Sequence, residues 1–368
     1  MIYFDNAATG FPKSASAANA MRDACLCCGN PGRSGHAYAR KADEILYDCR
    51  KKLAALFGSV PERVILTKGA TEALNYAIKG LYREDSEVLC SNMEHNAVMR
   101  PLQALRMCGE IVLKQFRAEI ADDDVTVDNF RLAVGKHTDM AVVTHASNVC
   151  GRVLPLAEMR ASVGREDFLM IADCSQTAGH IPIDIRQLGV DAICIPGHKG
   201  LFGPMGTGAL ILHPDRAYSF CTIIEGGSGI DSRAISMPEV LPERLEAGTP
   251  NVCGFAGLCA ALDEVTFDTD EMHLYQQLVD GLIAKKEIRL HGYHAHGAYV
   301  PTLLINKQNR DCEELAEYLA ENGVAVRAGL HCAPCAHRAL GTLDCGGVRI
   351  SLSKHNTEEE IQRFLQLI

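Results

Sequence analysis

The sequence predicts an α/β fold: a large domain built on a mostly parallel seven-stranded sheet, joined to a smaller α+β domain near the C-terminus. Seven short apolar runs alternate with amphipathic helical patterns through the first 250 residues. This alternation is typical of a parallel sheet with helices on both faces. After about Asn251 the alternation ends. The length of 368 residues also favours two domains, because single domains usually have about 100–200 residues.

The large domain is predicted to cover residues 14–250. Its predicted strands are Val64–Thr67, Glu87–Ser91, Ile111–Gln115, Met140–His145, Phe168–Ala172, Ala192–Ile195 and Gly208–Leu212. Helical patterns at Glu72–Leu81 and Val98–Met107 lie between them. In sheets of this kind, binding sites collect at the carboxyl ends of the strands.

The small domain is predicted to combine residues 1–13 with residues 251–368. Its predicted elements are a helix, a strand, a helix, two strands and a final helix, at Met272–Lys286, Tyr299–Ile305, Cys312–Asn322, Val324–Arg327, Val348–Leu352 and the segment after Thr357. Thr357 is a helix-capping residue, and the acidic run Glu358–Glu360 suits the positive end of the helix that follows.

Composition narrows the classes of function. The net charge of -10 argues against nucleic acid or an anionic membrane surface as a partner. No stretch reaches the roughly 18–20 apolar residues that span a bilayer, and the N-terminus lacks the pattern of a signal peptide. We therefore expect a cytoplasmic protein whose 16 cysteines are mostly reduced, buried thiols.

A loop rich in glycine and proline, residues 196–208, follows a predicted strand and contains Lys199 beside His198. A lysine held there forms a Schiff base with a carbonyl group if its pKa is lowered, and His198 is suited to bind a phosphate. The alternative is a solvated lysine in a surface loop.

Three further motifs follow predicted strands. Asp173 ends an apolar strand and suits pairing with a cofactor ring nitrogen, with Gln176 reaching a phenolic oxygen; the alternative is a helix cap. Thr71 follows a glycine turn at a helix start, where free N–H groups cradle phosphate, although such turns are also routine. His95 suits stacking on a flat ring and proton transfer, or is a polar loop residue.

The segment from Arg327 contains Cys332 in a loop after a predicted strand. Arg327 and His331 are predicted to act there as cationic neighbours that raise the reactive thiolate fraction of Cys332. Cys335 completes a C-x-x-C pattern, which also occurs in zinc sites and redox centres. A structural zinc site needs more ligands, and the sequence offers no clean second pair.

The order and spacing of these motifs resemble the cysteine desulfurases, which are class V aminotransferases with the fold of the type I pyridoxal-phosphate (PLP) transferases. The matching motifs are Asp5–Thr9, Gly69–Asn75, Glu94–His95, His145–Asn148, Asp173–Gln176, Gly197–Lys199, Ala247–Asn251 and Arg327–Cys332. The short loop around Cys332 is similar to that of the group II branch, which includes SufS-type and selenocysteine-lyase-like enzymes.

The resemblance implies a role for each matching residue. Lys199, Cys332 and His95 would be catalytic, with PLP attached to Lys199 as a Schiff base. The cofactor would be bound by Ala70, Thr71, His95, Asn148, Asp173, Gln176, His198, Lys199 and Thr249. Thr249 would reach the neighbouring subunit of a homodimer. The substrate would be bound by His36, Asn148, Arg327 and Arg349.

The implied reaction converts L-cysteine to L-alanine and transfers sulfur to Cys332 as a persulfide, for delivery to an acceptor such as a separate protein or an iron–sulfur cluster system. Selenocysteine lyase, another PLP-dependent reaction and a catalytically inactive, cysteine-rich metal-binding scaffold stay open. The sequence departs from the SufS-type pattern at two positions. Pro196 stands where that pattern has a serine, and Leu330 stands where it has a histidine. Cys335 and the cluster Cys25–Cys28 have no counterpart in that pattern.

Overall fold

The computed structural model describes residues 1–32, 35–230, 233–267 and 270–368. Its strands are β1 Ile2–Tyr3, β2 Val64–Thr67, β3 Ser86–Ser91, β4 Ile111–Phe116, β5 Thr138–Thr144, β6 Leu169–Asp173, β7 Ala192–Pro196, β8 Gly208–Leu212, β9 Ile288–His291, β10 Thr302–Lys307, β11 Val324–Ala325, β12 Arg327–Gly329 and β13 Gly347–Ser351. Its α-helices are α1 Ala15–Cys27, α2 Ala37–Phe57, α3 Ala70–Leu81, α4 Asn96–Met107, α5 Asp123–Ala133, α6 Leu156–Ala161, α7 Ile185–Leu188, α8 Val252–Leu262, α9 Asp270–Ile283, α10 Cys312–Glu321, α11 Pro334–Ala339 and α12 Glu358–Leu367. A 3-10 helix at Pro61–Arg63 precedes β2.

The central sheet has seven strands in the order β2-β8-β7-β6-β5-β3-β4. All neighbouring pairs are parallel except the two that involve β8, which is antiparallel to β2 and β7. The predicted mostly parallel seven-stranded sheet is therefore confirmed. Strands β2, β7 and β8 are nearly continuous apolar, buried runs, as expected where helices cover both faces of the sheet, whereas the edge strand β4 has exposed residues.

A second sheet of four antiparallel strands has the order β12-β13-β10-β9. The single predicted strand Val324–Arg327 is wrong, because the chain changes partners within it: β11 pairs with the N-terminal β1, whereas β12 pairs with β13. Three apolar residues followed by Arg327 contain no signal for such a change, since the partner of β11 comes from the other end of the chain.

The N-terminal segment packs with the C-terminal part of the chain. Phe4 is fully buried and meets Phe364 of α12 edge to face, with ring centroids 5.6 Å apart. Helix α12 begins as predicted, with the Thr357 hydroxyl accepting from the backbone of Glu360 in a capping box. Among helices in the described part of the chain, none combines the length and apolarity needed to cross a bilayer.

Helix α8 packs against α1 and α2 on one face of the central sheet. Its residues Val252, Phe255 and Leu258 join the same buried cluster as Ile195 of β7. The domain boundary at residue 250 stays a prediction, with α8 on its C-terminal side packed into the core of the large sheet.

Candidate active site

A cavity of about 550 Å³ opens at the carboxyl ends of the central parallel strands. It is lined by eight residues that the sequence analysis singled out: Ala70, Thr71, His95, Asn148, Asp173, Gln176, His198 and Lys199. They come from the carboxyl end of β6 and from the segments that follow β2, β3, β5, β6 and β7, so the strand order brings them together.

Lys199 follows β7 and lines this cavity, which excludes the alternative of a solvated surface lysine. Burial lowers the pKa of Lys199 to about 8, against the opposing attraction of Asp173. A far larger fraction of the amine is therefore neutral near pH 7 than for a lysine with the usual pKa of 10.5, which favours nucleophilic and basic roles.

Asp173 ends β6 and is buried. One of its oxygens accepts hydrogen bonds from the backbone N–H of Ser175, at 3.0 Å, and from the Ser175 hydroxyl, at 2.5 Å. No helix begins at this turn, so the helix-cap alternative does not apply. The buried Gln176 amide donates to the Ala7 carbonyl at 3.2 Å and has a second hydrogen for a group in the cavity.

Two histidines at the cavity are neutral. Burial lowers the pKa of His95 to about 4, and its Nδ1 accepts from the Ala97 N–H at 2.9 Å, which caps α4. The remaining hydrogen of the His95 ring is therefore on Nε2. Burial, with the nearby cations Lys199 and Lys13, lowers the pKa of His198 to about 4.

The start of α3 forms one end of the cavity. Gly69 is the N-cap and makes no side-chain capping hydrogen bond, and Thr71 is the second residue of α3. Backbone N–H groups in the first helical turn are suited to an anion. Gly208 of β8 allows the close approach of this turn, because a Cβ there would lie 2.5 Å from the Gly69 Cα.

These groups fit PLP. Lys199 matches an aldehyde, Asp173 a pyridine nitrogen and the uncapped start of α3 a phosphate. The Asn148 Oδ1 is buried without a hydrogen-bond partner and belongs to a cavity-lining residue, as expected where a ligand supplies the partner. Pro196 also lines the cavity and has no hydroxyl for a phosphate.

The loop with Cys332 connects β12 to α11 and lies against this site. The Cys332 carbonyl accepts from the Asn96 N–H at 2.8 Å, and the His331 carbonyl accepts from the Asn148 side chain at 2.8 Å. Cys332 is exposed, and Cys335 is half-buried in the first turn of α11. His331 is not the cationic neighbour that was predicted, because burial lowers its pKa to about 3.

The two predicted substrate arginines lie on adjacent strands and do not line the cavity. Arg349 is buried, pairs with Asp5 at 2.8 Å and donates to the Asn148 carbonyl at 3.1 Å. Its Nε is buried without a hydrogen-bond partner. Arg327 is exposed and opposite Arg349 in the sheet.

His36 and Thr249 also lie outside the cavity. His36 is exposed, and its Nδ1 caps α2 by accepting from the backbone N–H of Ala39 at 3.2 Å. Arg33 and Ser34, which precede it in the sequence, lie outside the described residues. Thr249 is exposed and lines an adjoining cavity of about 920 Å³. Within one chain, neither side chain reaches the groups around Lys199.

Glu94, which precedes the cavity-lining His95, is a residue to which no sequence pattern assigned a role. It is fully buried and accepts the backbone N–H groups of Thr144, at 3.0 Å, and Ser91, at 3.3 Å. Burial raises its pKa to about 8. The available signal was a carboxyl group three residues after a buried strand, in a position where a charge needs a partner.

All sixteen cysteines are free thiols. In the part of the chain that the structure describes, no cluster of three or more His, Cys, Asp or Glu side chains has the arrangement of a metal site.

The family model of the class V aminotransferases matches residues 2–364. A probable cysteine desulfurase of Methanothermobacter thermautotrophicus is 32% identical over 90% of this chain and 85% of its own. Among solved structures, the apo cysteine desulfurase of Thermococcus onnurineus superposes with a TM-score of 0.92 at 26% identity, covering 100% of this chain and 93% of the other. The cysteine desulfurase CsdA of Escherichia coli gives 0.87 at 25% identity, covering 99% and 93%.

Proposed function

This chain belongs to the cysteine desulfurases of the class V aminotransferase family, and from that premise we propose that it converts L-cysteine to L-alanine while Cys332 receives the sulfur. The observation that supports this most is spatial. Lys199, Asp173 and His95 line one cavity, and the Cys332 loop is hydrogen-bonded to Asn96 and Asn148 at that cavity.

Enzymes of this family use PLP. Lys199 would hold its aldehyde, Asp173 its ring nitrogen, and the start of α3 with Thr71 its phosphate, while His95 would lie against the ring. When bound, PLP supplies an electron sink that stabilises negative charge on the α-carbon of an amino acid. Asp173 favours this role because a carboxylate at the ring nitrogen keeps that nitrogen protonated.

Lys199 and Cys332 perform the proton-transfer and sulfur-transfer steps of the reaction. The amine of Lys199, once it is free, would act as the base that takes up the α-proton of the substrate. The Cys332 thiolate attacks the substrate sulfur, and a Cys332 persulfide forms as alanine leaves. The sum balances, because L-cysteine and the Cys332 thiol yield L-alanine and the persulfide.

We assign the substrate carboxylate to Asn148 and Arg349. Asn148 lines the cavity, the Arg349 guanidinium donates to the Asn148 carbonyl, and the Nε of Arg349 has no hydrogen-bond partner. We also propose that His36 and Arg327 contact the substrate at the cavity entrance. Both side chains are exposed.

We further propose a cytoplasmic homodimer that passes sulfur to a separate acceptor. Thr249 is exposed and does not line the Lys199 cavity of its own chain, which supports a role in the neighbouring subunit. The exposed Cys332 suits transfer to another molecule, and sixteen free thiols suit a reducing compartment.

The test compares wild-type holoenzyme with Cys332→Ser and, as the matched control, Cys335→Ser. We expect all three to show the absorbance of bound PLP and a spectral change with L-cysteine. Only Cys332→Ser should lose alanine production and the persulfide detected by peptide mass spectrometry. Undiminished turnover in Cys332→Ser would refute Cys332 as the acceptor. Bound PLP in the wild type without alanine would redirect the substrate to selenocysteine.

A further inference from the structure

The Cys332 loop contains two consecutive residues in the left-handed region, with φ of 51° at His331 and 56° at Cys332. For residues other than glycine, this conformation costs roughly 1–2 kcal/mol each. It persists only where the surroundings hold it in place. The structure must therefore contain contacts that hold this part of the loop.

Three backbone acceptors of the loop are satisfied. Asn148 donates to the His331 carbonyl and the Asn96 N–H to the Cys332 carbonyl, both at 2.8 Å, and the Ala333 N–H closes the turn onto Leu330 at 2.9 Å. These bonds hold the side of the loop that faces the cavity. The other side is held through the His331 side chain, which is buried.

His331 begins a chain of side-chain hydrogen bonds that runs away from the cavity. Its Nε2 lies 3.1 Å from the Arg327 carbonyl, and its Nδ1 lies 3.1 Å from Nε2 of His337. Nδ1 of His337 lies 2.8 Å from the Thr342 hydroxyl. His337 and Thr342 are completely buried, and the two imidazole planes are 17° apart.

The donor and acceptor types of the groups determine which atom has the hydrogen in each of these hydrogen bonds. A carbonyl only accepts, so His331 Nε2 must have the hydrogen. Burial lowers the pKa of both His331 and His337, so each ring is neutral at neutral pH and has one hydrogen. The His331 Nδ1 is therefore an acceptor, and His337 donates from Nε2. Thr342 donates to the His337 Nδ1 at 2.8 Å rather than to the more distant His337 carbonyl at 3.4 Å.

We propose that His337 is a positioning residue for Cys332: it acts through His331 to hold the two left-handed residues and so fixes where the thiol is presented to the substrate. The proposal rests on the proposed function, in which Cys332 is the sulfur acceptor. Its importance is geometric, because a displacement of about 1 Å at a reacting atom can reduce a rate by about 100-fold.

The test uses a matched pair of variants. His337→Phe keeps a planar ring of similar size without any hydrogen bond, whereas His337→Gln keeps a donor for His331 and an acceptor for Thr342. In holoenzymes, we expect Cys332 persulfide formation in a single turnover to slow at least tenfold in His337→Phe and to stay within threefold of wild type in His337→Gln. The apparent affinity for L-cysteine, from the spectral change, should stay within twofold in both.

A second readout does not depend on the reaction. Amide hydrogen exchange at residues 330–333 of the holoenzyme should become at least tenfold faster in His337→Phe and stay near the wild-type rate in His337→Gln. Wild-type exchange and wild-type persulfide formation in His337→Phe would overturn the proposal. If exchange changes as expected but wild-type enzyme forms no Cys332 persulfide, the proposed function fails and the positioning of the loop by His337 is upheld.

If His337→Phe does not fold, Thr342→Val and Thr342→Ser provide the same comparison. The valine leaves the His337 Nδ1 without its donor, and the serine restores the hydroxyl. Faster amide hydrogen exchange in Thr342→Val alone supports the role of the hydrogen bonds from Thr342 through His337 to His331. Equal exchange in both variants overturns it.

Discussion

Burial sets the charge of the reactive groups at the residue scale. Lys199, His95 and His198 all have a lowered pKa, and in each the loss of contact with water is the main cause. Placing a charge in such surroundings is unfavourable, so the neutral amine and the neutral imidazoles are favoured. These neutral forms are the ones that attack a carbonyl, accept a proton or lie against an aromatic ring.

The lowered pKa of Lys199 predicts how PLP attachment depends on pH. The rate at which PLP attaches to the cofactor-free protein should rise with pH through about 8, where the amine loses its proton, rather than through the usual 10.5. The growth of the PLP absorbance band after mixing, recorded at a series of pH values, measures this rate.

Asp173→Asn provides the matched control for this profile. The Asp173 carboxylate attracts the charged form of Lys199 and raises its pKa, so the variant should move the midpoint to lower pH. A wild-type midpoint near 10 would contradict the lowered pKa.

At the scale of the elements, Glu94 ties together the ends of two strands. It lies three residues after the end of β3 and accepts the N–H of Thr144, the last residue of β5. His95 follows Glu94 directly and caps α4. The buried carboxyl therefore holds the loop that presents His95 against the neighbouring strand.

Glu94 predicts a pH-dependent contribution to stability. Its pKa is about 8 in the folded chain against a usual 4.5, so between these values the folded state holds a proton that the unfolded state has released. Stability from this group is therefore present below pH 4.5 and is lost as pH rises towards 8. Glu94→Gln does not titrate, so its free energy of unfolding should fall less across this window.

Urea unfolding at several pH values measures the free energy of unfolding of the wild type and of Glu94→Gln. Glu94→Ala is measured as a second variant. The alanine leaves the amides of Ser91 and Thr144 unpaired, which should lower the free energy of unfolding by roughly 3 kcal/mol. Parallel pH profiles for wild type and Glu94→Gln would show that Glu94 is ionised in the folded chain.

At the scale of the whole molecule, the site joins distant parts of the chain. Arg349 of the C-terminal sheet pairs with Asp5 of the N-terminal segment and donates to Asn148 after β5. The buried Arg152 likewise donates to the carbonyls of Ile120, at 2.8 Å, and Ala298, at 3.3 Å. The cavity therefore depends on the association of both sheets, and in the proposed homodimer Thr249 would extend this dependence to a second chain.

Mixing two variants tests the role of Thr249 in the partner subunit. Lys199→Ala has no amine for PLP, and Thr249→Ala should bind PLP weakly at a limiting concentration of the cofactor. In a mixed dimer, the Lys199→Ala chain supplies an intact Thr249 to the site of the other chain. Activity should therefore appear in proportion to mixed dimers, measured as alanine production after the subunits exchange.

The outcome separates two arrangements. If Thr249 served its own chain, no site in the mixture would be complete and the activity would not exceed that of Thr249→Ala alone. Each variant dimer by itself is the control.

The sequence by itself determined the seven central strands and the last helix, because apolar runs and capping residues are local signals. It also pointed to Thr71, His95, Asp173, Gln176, His198 and Lys199, which lie at or after the ends of predicted strands, whereas Ala70 and Asn148 followed only from the resemblance to the cysteine desulfurases. Only the tertiary structure decided what depends on distant contacts. The partner change between β11 and β12 requires β1 from the N-terminus. The neutrality of His331, the burial of Glu94 and the hydrogen-bonded chain to His337 depend on desolvation and on hydrogen-bond partners, which no spacing pattern encodes.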